Sequence, residues 1–322
     1  MKSWILKSVA ANVLWIIMFW NVENFFSPAS DGTGDSEYTP TGYRHWNWSK
    51  FNRKRDDIAK IILLVKERHG QCPMLVGLCE VENRRVVNEL VYNTMLSRLE
   101  YGAVHRDSPD SRGIDVALLY RRDRFRVMKA EFLAVPAPGG GVLDTREILY
   151  VKGVADGIDT IHCLVNHWPS RLGGKKRSSL KRKAAMERLK AKCDSILAAD
   201  SLANVVVMGD FNATADSPLL AELDMLVNTG SEVKNPGKGV RGTYKYKGEW
   251  ESIDHILLSK NLYCGRWFNS VGGVEIFAPD YLLEDDPAFL GLKVRRTLTG
   301  PVYNGGVSDH LPIILRIFQE EY

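Results

Sequence analysis

Cysteine is scarce and unpatterned in this chain of 322 residues. The five cysteines are Cys72, Cys79, Cys163, Cys193 and Cys264; their number is odd, and no two have metal-knuckle spacing. Most lie in apolar runs, so they read as buried thiols and speak against a disulfide framework or a zinc site. Internal repeats and low-complexity tracts are also missing, which removes solenoids, propellers and disordered arrays. No stretch reads as an interdomain linker. We therefore expect one domain over residues 15–322, preceded by a segment, 1–14, of open role. A hydrophobic content of 45% with 25% charged residues fits a soluble globular chain.

A long hydrophobic run is absent too. Lys2 and Lys7 precede an apolar stretch, Val9 to Trp20, shorter than the roughly 20 residues a membrane span needs. The layout looks like an export signal, but a small-x-small pattern occurs only at Ser27-Pro28-Ala29. A cut there would remove Asn21 and Glu23, two candidate site residues. We expect Trp15 to Trp20 to be the first core strand and the protein to be cytoplasmic, with export or membrane association left open.

The net charge of +4 is small but uneven. Lys175 to Lys192 holds nine basic residues and one acid, Glu187, so the rest of the chain sums to −4. Such a run is either a solvated helix face or an attractor of polyanions.

Strand-like and helix-like stretches alternate early, and strands dominate later. Lys50 to Arg68 carries Ile58, Ile61, Ile62 and Val65 at helical spacing. Arg84 to Leu99, Ser178 to Ala199 and Pro218 to Leu226 read as further helices. Leu180, Ala184, Ala185, Leu189, Ile196 and Leu197 form the stripe of the long one. Pro73–Cys79, Ile114–Tyr120, Arg126–Val135, Arg146–Val154, Thr160–Val165 and Val205–Met208 read as strands. Gly242–Trp250 and Ile253–Ser259 suggest a hairpin, and Phe277 to Asn304 a surface excursion. Two packed sheets with helices outside suit this order.

Polar residues punctuate the strand ends. Asn21-Val22-Glu23-Asn24, Glu80, Asn166-His167-Trp168, Asp210-Phe211-Asn212, Asp254-His255 and Ser308-Asp309-His310-Leu311-Pro312 each border an apolar run. Carboxylates, carboxamides and imidazoles at many strand ends are what a metal-assisted hydrolase requires. Each has a plainer reading. Glu80 could be a helix-capping acid, although Glu82 and Asn83 serve that purpose equally well. Asp210-Phe211-Asn212 could be an Asx-turn.

Taken in order, these motifs resemble the endonuclease/exonuclease/phosphatase superfamily, over about residues 15–318. That resemblance implies a four-layered α/β sandwich, two packed mixed β-sheets flanked by helices, as in the deoxyribonucleases. It also implies a site for one or two divalent metals at one end of the sheets, magnesium in most members, with manganese or calcium as alternatives. By resemblance, Glu80 is the principal metal carboxylate, with Asn21, Glu23 and Asp309 beside it. Asp210 prepares the attacking water, Asn212 and His310 hold the phosphoryl oxygens, and Asp254 orients His310. His167 matches the general acid of the deoxyribonuclease-like and sphingomyelinase-like branches, and Asp115 is its candidate partner.

Arg146 resembles a phosphate-gripping arginine, with a surface role as the alternative. Arg171 and the amides of Gly173 and Gly174 could receive phosphate. Trp168 could stack on a base or sugar, or pack its loop. His255 reads as a packing residue. The implied activity is magnesium-dependent hydrolysis of nucleic-acid phosphodiesters by a monomer without an obligate protein partner. The alternative is a phosphatase or phospholipase acting on inositol phosphates or sphingomyelin. A non-catalytic binding module is a third reading, against which stands the full set of matched metal ligands.

Overall fold

The computed structural model describes residues 12–30, 35–171, 175–229, 239–264 and 273–319. Residues 1–11 and the glycines Gly173 and Gly174 lie outside them. The strands are β1 (Asn12–Phe25), β2 (Leu75–Val81), β3 (Tyr101–His105), β4 (Asp115–Arg121), β5 (Phe125–Leu133), β6 (Ile148–Ala155), β7 (Asp159–His167), β8 (Asn204–Asp210) and β9 (Leu226–Asn228). They continue with β10 (Tyr244–Tyr246), β11 (Glu249–Glu251), β12 (Asp254–Ser259), β13 (Glu275–Ile276), β14 (Leu283–Asp285), β15 (Leu292–Val294), β16 (Leu298–Thr299), β17 (Val302–Tyr303) and β18 (Ile313–Gln319). Three longer helices accompany them: α1 (Trp48–His69), α2 (Arg84–Tyr92) and α3 (Lys175–Ala199).

Two six-stranded mixed sheets form, in the orders β13-β18-β1-β2-β4-β3 and β5-β6-β7-β8-β12-β9. Each contains one parallel pair near its centre, β1 with β2 and β7 with β8, among antiparallel neighbours. These central strands are buried on both faces, which is why they read as unbroken apolar runs.

Alternation along each strand decides which layer a side chain joins. Val206 and Met208 of β8, with Cys163 and Val165 of β7, face the other sheet. Val205, Val207 and Leu164 face away and pack against Leu189, Cys193 and Ile196 of α3. On the first sheet, α1 contributes Phe51, Ile58, Ile61, Ile62 and Val65 to the core. The result is a helix–sheet–sheet–helix sandwich.

Helix ends follow local chemistry. Asn47 caps α1 by accepting from the Lys50 amide at 3.1 Å, and Gly70 ends it in the left-handed region. Asn83 caps α2 in the same way, and Glu82 accepts from the Ser27 amide, so capping makes no demand on Glu80.

Several boundaries differ from expectation. The second helix stops at Tyr92, and residues 95–99 form a 3-10 turn. The helix at Pro218 covers one turn, to Ala221, before β9. The hairpin is β10–β11, turned by Lys247-Gly248, both with positive φ. The apolar β12 joins β8 and β9 instead, because only a central position buries both of its faces. On α3, Leu180 is exposed, and Met186 and Cys193 complete the stripe. Among the described residues no helix is long and apolar enough to cross a membrane.

At Gly77 the other sheet packs directly on the β2 backbone. A Cβ there would collide with the Met208 thioether and meet Phe19 at 3.1 Å. Gly77→Val is expected to cost about 1–3 kcal/mol in urea unfolding through overpacking. Gly139→Ala, with open space around it, should stay within about 0.5 kcal/mol. Equal losses would contradict the seam.

Candidate active site at the strand ends

The parallel pairs send their C-terminal ends to one rim. β1 carries Asn21 and Glu23 near its end, β2 has Glu80 as its next-to-last residue, and β7 and β8 end in His167 and Asp210. β12 runs the opposite way, so its first residue, Asp254, lies in register with Asp210. His310 comes shortly before β18 on the first sheet.

Bulges aim the acids. Pairing of β1 with β2 slips between Asn21 and Phe25, and pairing of β2 with β4 slips between Cys79 and Val81. Glu23, Asn24, Glu80 and Asn212 all have φ between 45° and 63°. Non-glycine residues adopt that left-handed region at a cost, and they concentrate where a side chain must be redirected.

Asp210 is the hub. Its Oδ2 accepts from Asn21 Nδ2 at 3.2 Å, and its Oδ1 from the Asn212 amide at 2.9 Å. Nε2 of His167 lies 3.7 Å from Oδ2, and Nε2 of His310 lies 3.8 Å from it. Burial, then the Asp254 charge, push the Asp210 carboxyl up to about 7. Burial opposes a charge on His310, but Asp254 at 2.8 Å from Nδ1 and Asp210 behind it raise the ring well above its usual value. His167 is held well below its usual value by burial, then by Arg146, Arg112 and His310. One imidazole is therefore charged and the other neutral. Nδ1 of His167 is buried without a hydrogen-bond partner.

A second group of acids lies beside the hub. Glu80 accepts from the Asn24 amide at 2.9 Å, and its other oxygen lies 3.9 Å from His167 and 3.6 Å from Arg112. Glu23 is fully engaged: Arg296 donates to Oε1 at 2.9 Å and the Thr297 amide to Oε2 at 3.2 Å. Arg296 also reaches Asp309 at 3.0 Å. Burial, then Asp309, raise the Glu23 carboxyl to about 7. Lys54, buried beneath, donates to the Glu23 carbonyl and to Thr297 Oγ1, and burial lowers its pKa to about 8.

The donor chemistry fits a hard divalent cation. Oxygens dominate along the rim, from Asn21, Glu80, Asp309 and Asp210, and the clusters of candidate ligands among the described residues hold no thiol. Asp210, Asp254 and His310 gather within 4.8 Å, and Asp254 Oδ1 is buried without a partner. That trio already encloses a cationic ring, so the free donors for a metal lie on the Glu80 side.

Four expected site residues are placed otherwise. Asp115 does not reach His167. It lies 3.2 Å from His105 Nε2 and accepts from the Ser108 amide, because the bulge at Glu80 turns β4's first residue toward its own loop. Trp168 is 1% exposed and edge-on to Phe211 at 4.8 Å, so no stacking face remains for substrate. Arg146 is buried with Asp110 at 2.8 Å and the Trp168 carbonyl at 2.8 Å; it ties two rim loops together and presents no open fork. Arg171 donates to the Asn212 carbonyl and to Glu251, bracing the Asn212 loop. His255, fully buried, donates from Nε2 to the Ala213 carbonyl at 2.8 Å, in keeping with a packing role.

Sequence reasoning missed Lys54, Arg112, Arg296 and Thr297. Lys54 left a trace, since it interrupts the buried face of α1 between Phe51 and Ile58. Arg112 and Arg296 sit in loops without periodicity and left none.

Two β-sheets with this order, flanked by helices, and a carboxylate–imidazole rim define the deoxyribonuclease-like α/β sandwich. Residues 16–319 match the model of the endonuclease/exonuclease/phosphatase family, and the chain belongs to that family. Family members are hydrolases of phosphoester bonds and generally depend on divalent metal. The catalytic domain of human Nocturnin is similar in structure, at 16% identity and TM-score 0.56, covering 95% of this chain and 94% of that one. Truncated TDP2 from Caenorhabditis elegans is 18% identical, with TM-score 0.56 and coverage of 95% and 97%. A mannosyl-6-phosphatase of Bacteroides thetaiotaomicron is 12% identical, with TM-score 0.58 and coverage of 94% and 99%. No curated protein matches in sequence.

Glu23 and Asp210 set a pH signature. Burial holds both at about 7 when folded, well above the ordinary carboxylate range. Each therefore contributes stability that is lost as pH rises toward 7, while His167, His162 and His255, lowered chiefly by burial, contribute in the opposite direction. In chelator, the melting temperature of Asp210→Asn relative to wild type should rise from pH 5 to pH 7, because only the wild type loses the Asp210 share. A flat difference would contradict the assigned burial.

Proposed function

We propose that this protein is a magnesium-dependent phosphoester hydrolase in which water attacks phosphorus in line. One observation carries the reading: the buried Asp210 carboxylate is held by Asn21 and the Asn212 amide with His167 and His310 within 3.8 Å, and His310 is backed by Asp254. A base titrating near the working pH is both available and strong enough to take a proton.

In this mechanism Asp210 accepts the proton of the attacking water, with Asn21 and the Asn212 amide fixing its oxygens. His310, kept charged by Asp254, stabilises a non-bridging oxygen. The Asn212 carboxamide, which gives one hydrogen to the Trp168 carbonyl at 3.1 Å, has a second for phosphate. Glu80, Asn21 and Asp309 supply oxygen donors for magnesium, which when bound neutralises charge developing on the phosphoryl group. Glu23 supports them through Arg296. His167 donates a hydrogen bond to the leaving oxygen, and gains the proton of a general acid only when phosphate lies against it.

A nucleic-acid phosphodiester is the first substrate to examine. The basic helix gives that reading limited support. Lys183 pairs with Glu187, Lys190 with Asp224 and Lys192 with Glu131, and Arg182 donates to the Pro169 and Ser170 carbonyls. These pairings weaken its pull on a polyanion and keep a phosphatase or phospholipase as the second reading.

Plasmid DNA, RNA, an inositol phosphate and sphingomyelin should be assayed side by side with magnesium and with chelator. At least one should be hydrolysed only with metal. Asp210→Asn, Glu80→Gln and His310→Ala should each lose about 100-fold or more in kcat, with melting temperatures showing a folded protein. Near-normal turnover in a folded variant would reject the role given to that residue.

A further inference from the structure

Two arginines stand at the mouth of the buried acids. The Arg112 side chain is 47% exposed, yet it sits on Glu80, which is 11% exposed; Arg296 is 46% exposed on Glu23, at 6%. Arg112 uses Nη2 toward Asn24 at 3.1 Å and Glu80. Arg296 uses Nε and Nη2 toward Glu23 and Asp309. Neither Nη1 makes a hydrogen bond among the described residues. Since Asn24 and Glu23 are adjacent in the β1 bulge, the two guanidinium groups contact the same short segment.

Each is held firmly. The Arg112 loop is pinned at Ser108 by Asp115 and at Asp110 by Arg146, both buried. Arg296 precedes Thr297, whose amide and hydroxyl bond to Glu23 and the Val307 carbonyl. Side chains anchored this way lose little entropy on binding an anion.

Charge and size set the substrate. A phosphodiester has one negative charge and two terminal oxygens. A phosphomonoester carries close to two charges and three terminal oxygens, and two further forked donors suit it. Beside Arg296 lies a cleft of about 210 Å³, bordered by Glu23 and Asn24 and walled by Tyr38, Arg44 and Trp46. That space is below the usual range for a drug-sized ligand and suits a small substituent better than a polymer strand.

We propose that Arg112 and Arg296 clamp the terminal oxygens of a phosphomonoester, so that the site favours a phosphate end over an internal diester. The proposal rests on the hydrolase reading above and favours its second substrate class, a phosphatase substrate, over an internal nucleic-acid diester.

The test compares kcat/KM for p-nitrophenyl phosphate and bis(p-nitrophenyl) phosphate, and measures inorganic phosphate binding by calorimetry with magnesium present. The wild type should prefer the monoester. Arg112→Met and Arg296→Met should each lower the monoester-to-diester ratio by about tenfold or more and weaken phosphate binding comparably. Arg296→Lys should recover only part, because an ammonium cannot fork. If Arg296→Met unfolds through the unpaired Glu23, the exposed Arg112 carries the test alone. Unchanged ratios and phosphate affinity in folded variants would overturn the clamp. Arginine-dependent phosphate binding without turnover of either ester would instead overturn the hydrolase reading and leave the clamp standing.

Discussion

Everything at the rim depends on two parallel strand pairs facing each other across an apolar seam. A parallel pair delivers two strand ends to the same edge, and an antiparallel neighbour begins where they stop. Stacking β1–β2 over β7–β8 therefore gathers Asn21, Glu23, Glu80, His167 and Asp210 at one edge, and adds Asp254 at the start of β12. The rim in turn ties the sheets together. Asn21 of the first sheet bonds Asp210 of the second, and His310 of the first bonds Asp254 of the second. Apolar packing sets the spacing, and these polar contacts set the register of one sheet over the other.

Burying so many carboxylates requires compensation. Glu23, Glu80, Asp210, Asp254 and Asp309 are met by Lys54, Arg112, Arg296 and a charged His310, each in contact with at least one acid or its backbone. An isolated buried charge is costly, whereas an alternating set with satisfied hydrogen bonds is tolerated. The balance is incomplete, one cation short on formal count, and the two acids near 7 carry the deficit. That residual demand for positive charge is the physical reason a divalent cation suits the Glu80 side.

Much of the fold was legible because its central strands are buried on both faces and announce themselves as apolar runs. The polar residues that end them stand out against that background, so Asn21, Glu80, His167, Asp210, Asp254 and His310 could all be marked in advance. What could not be read was direction. Trp168 and Arg146 have the right chemistry for substrate, but their loop geometry turns them inward. Asp115 was one bulge away from the expected neighbour. The short strands and loops after residue 277 carry no periodicity, and the contact between Arg296 and Glu23 spans 273 positions in sequence, a separation no local pattern encodes. Lys54 was visible in principle, as a charge on the buried face of a helix, but a lysine there is more simply read as a snorkelling surface residue.

The central claim is that the rim of the paired sheets is a divalent-cation site built around Glu80. Anomalous diffraction from crystals soaked in manganese tests it directly. The account predicts a peak within about 2.2 Å of a Glu80 carboxylate oxygen, with Asn21 or Asp309 in the same shell. A rim without a peak would contradict it.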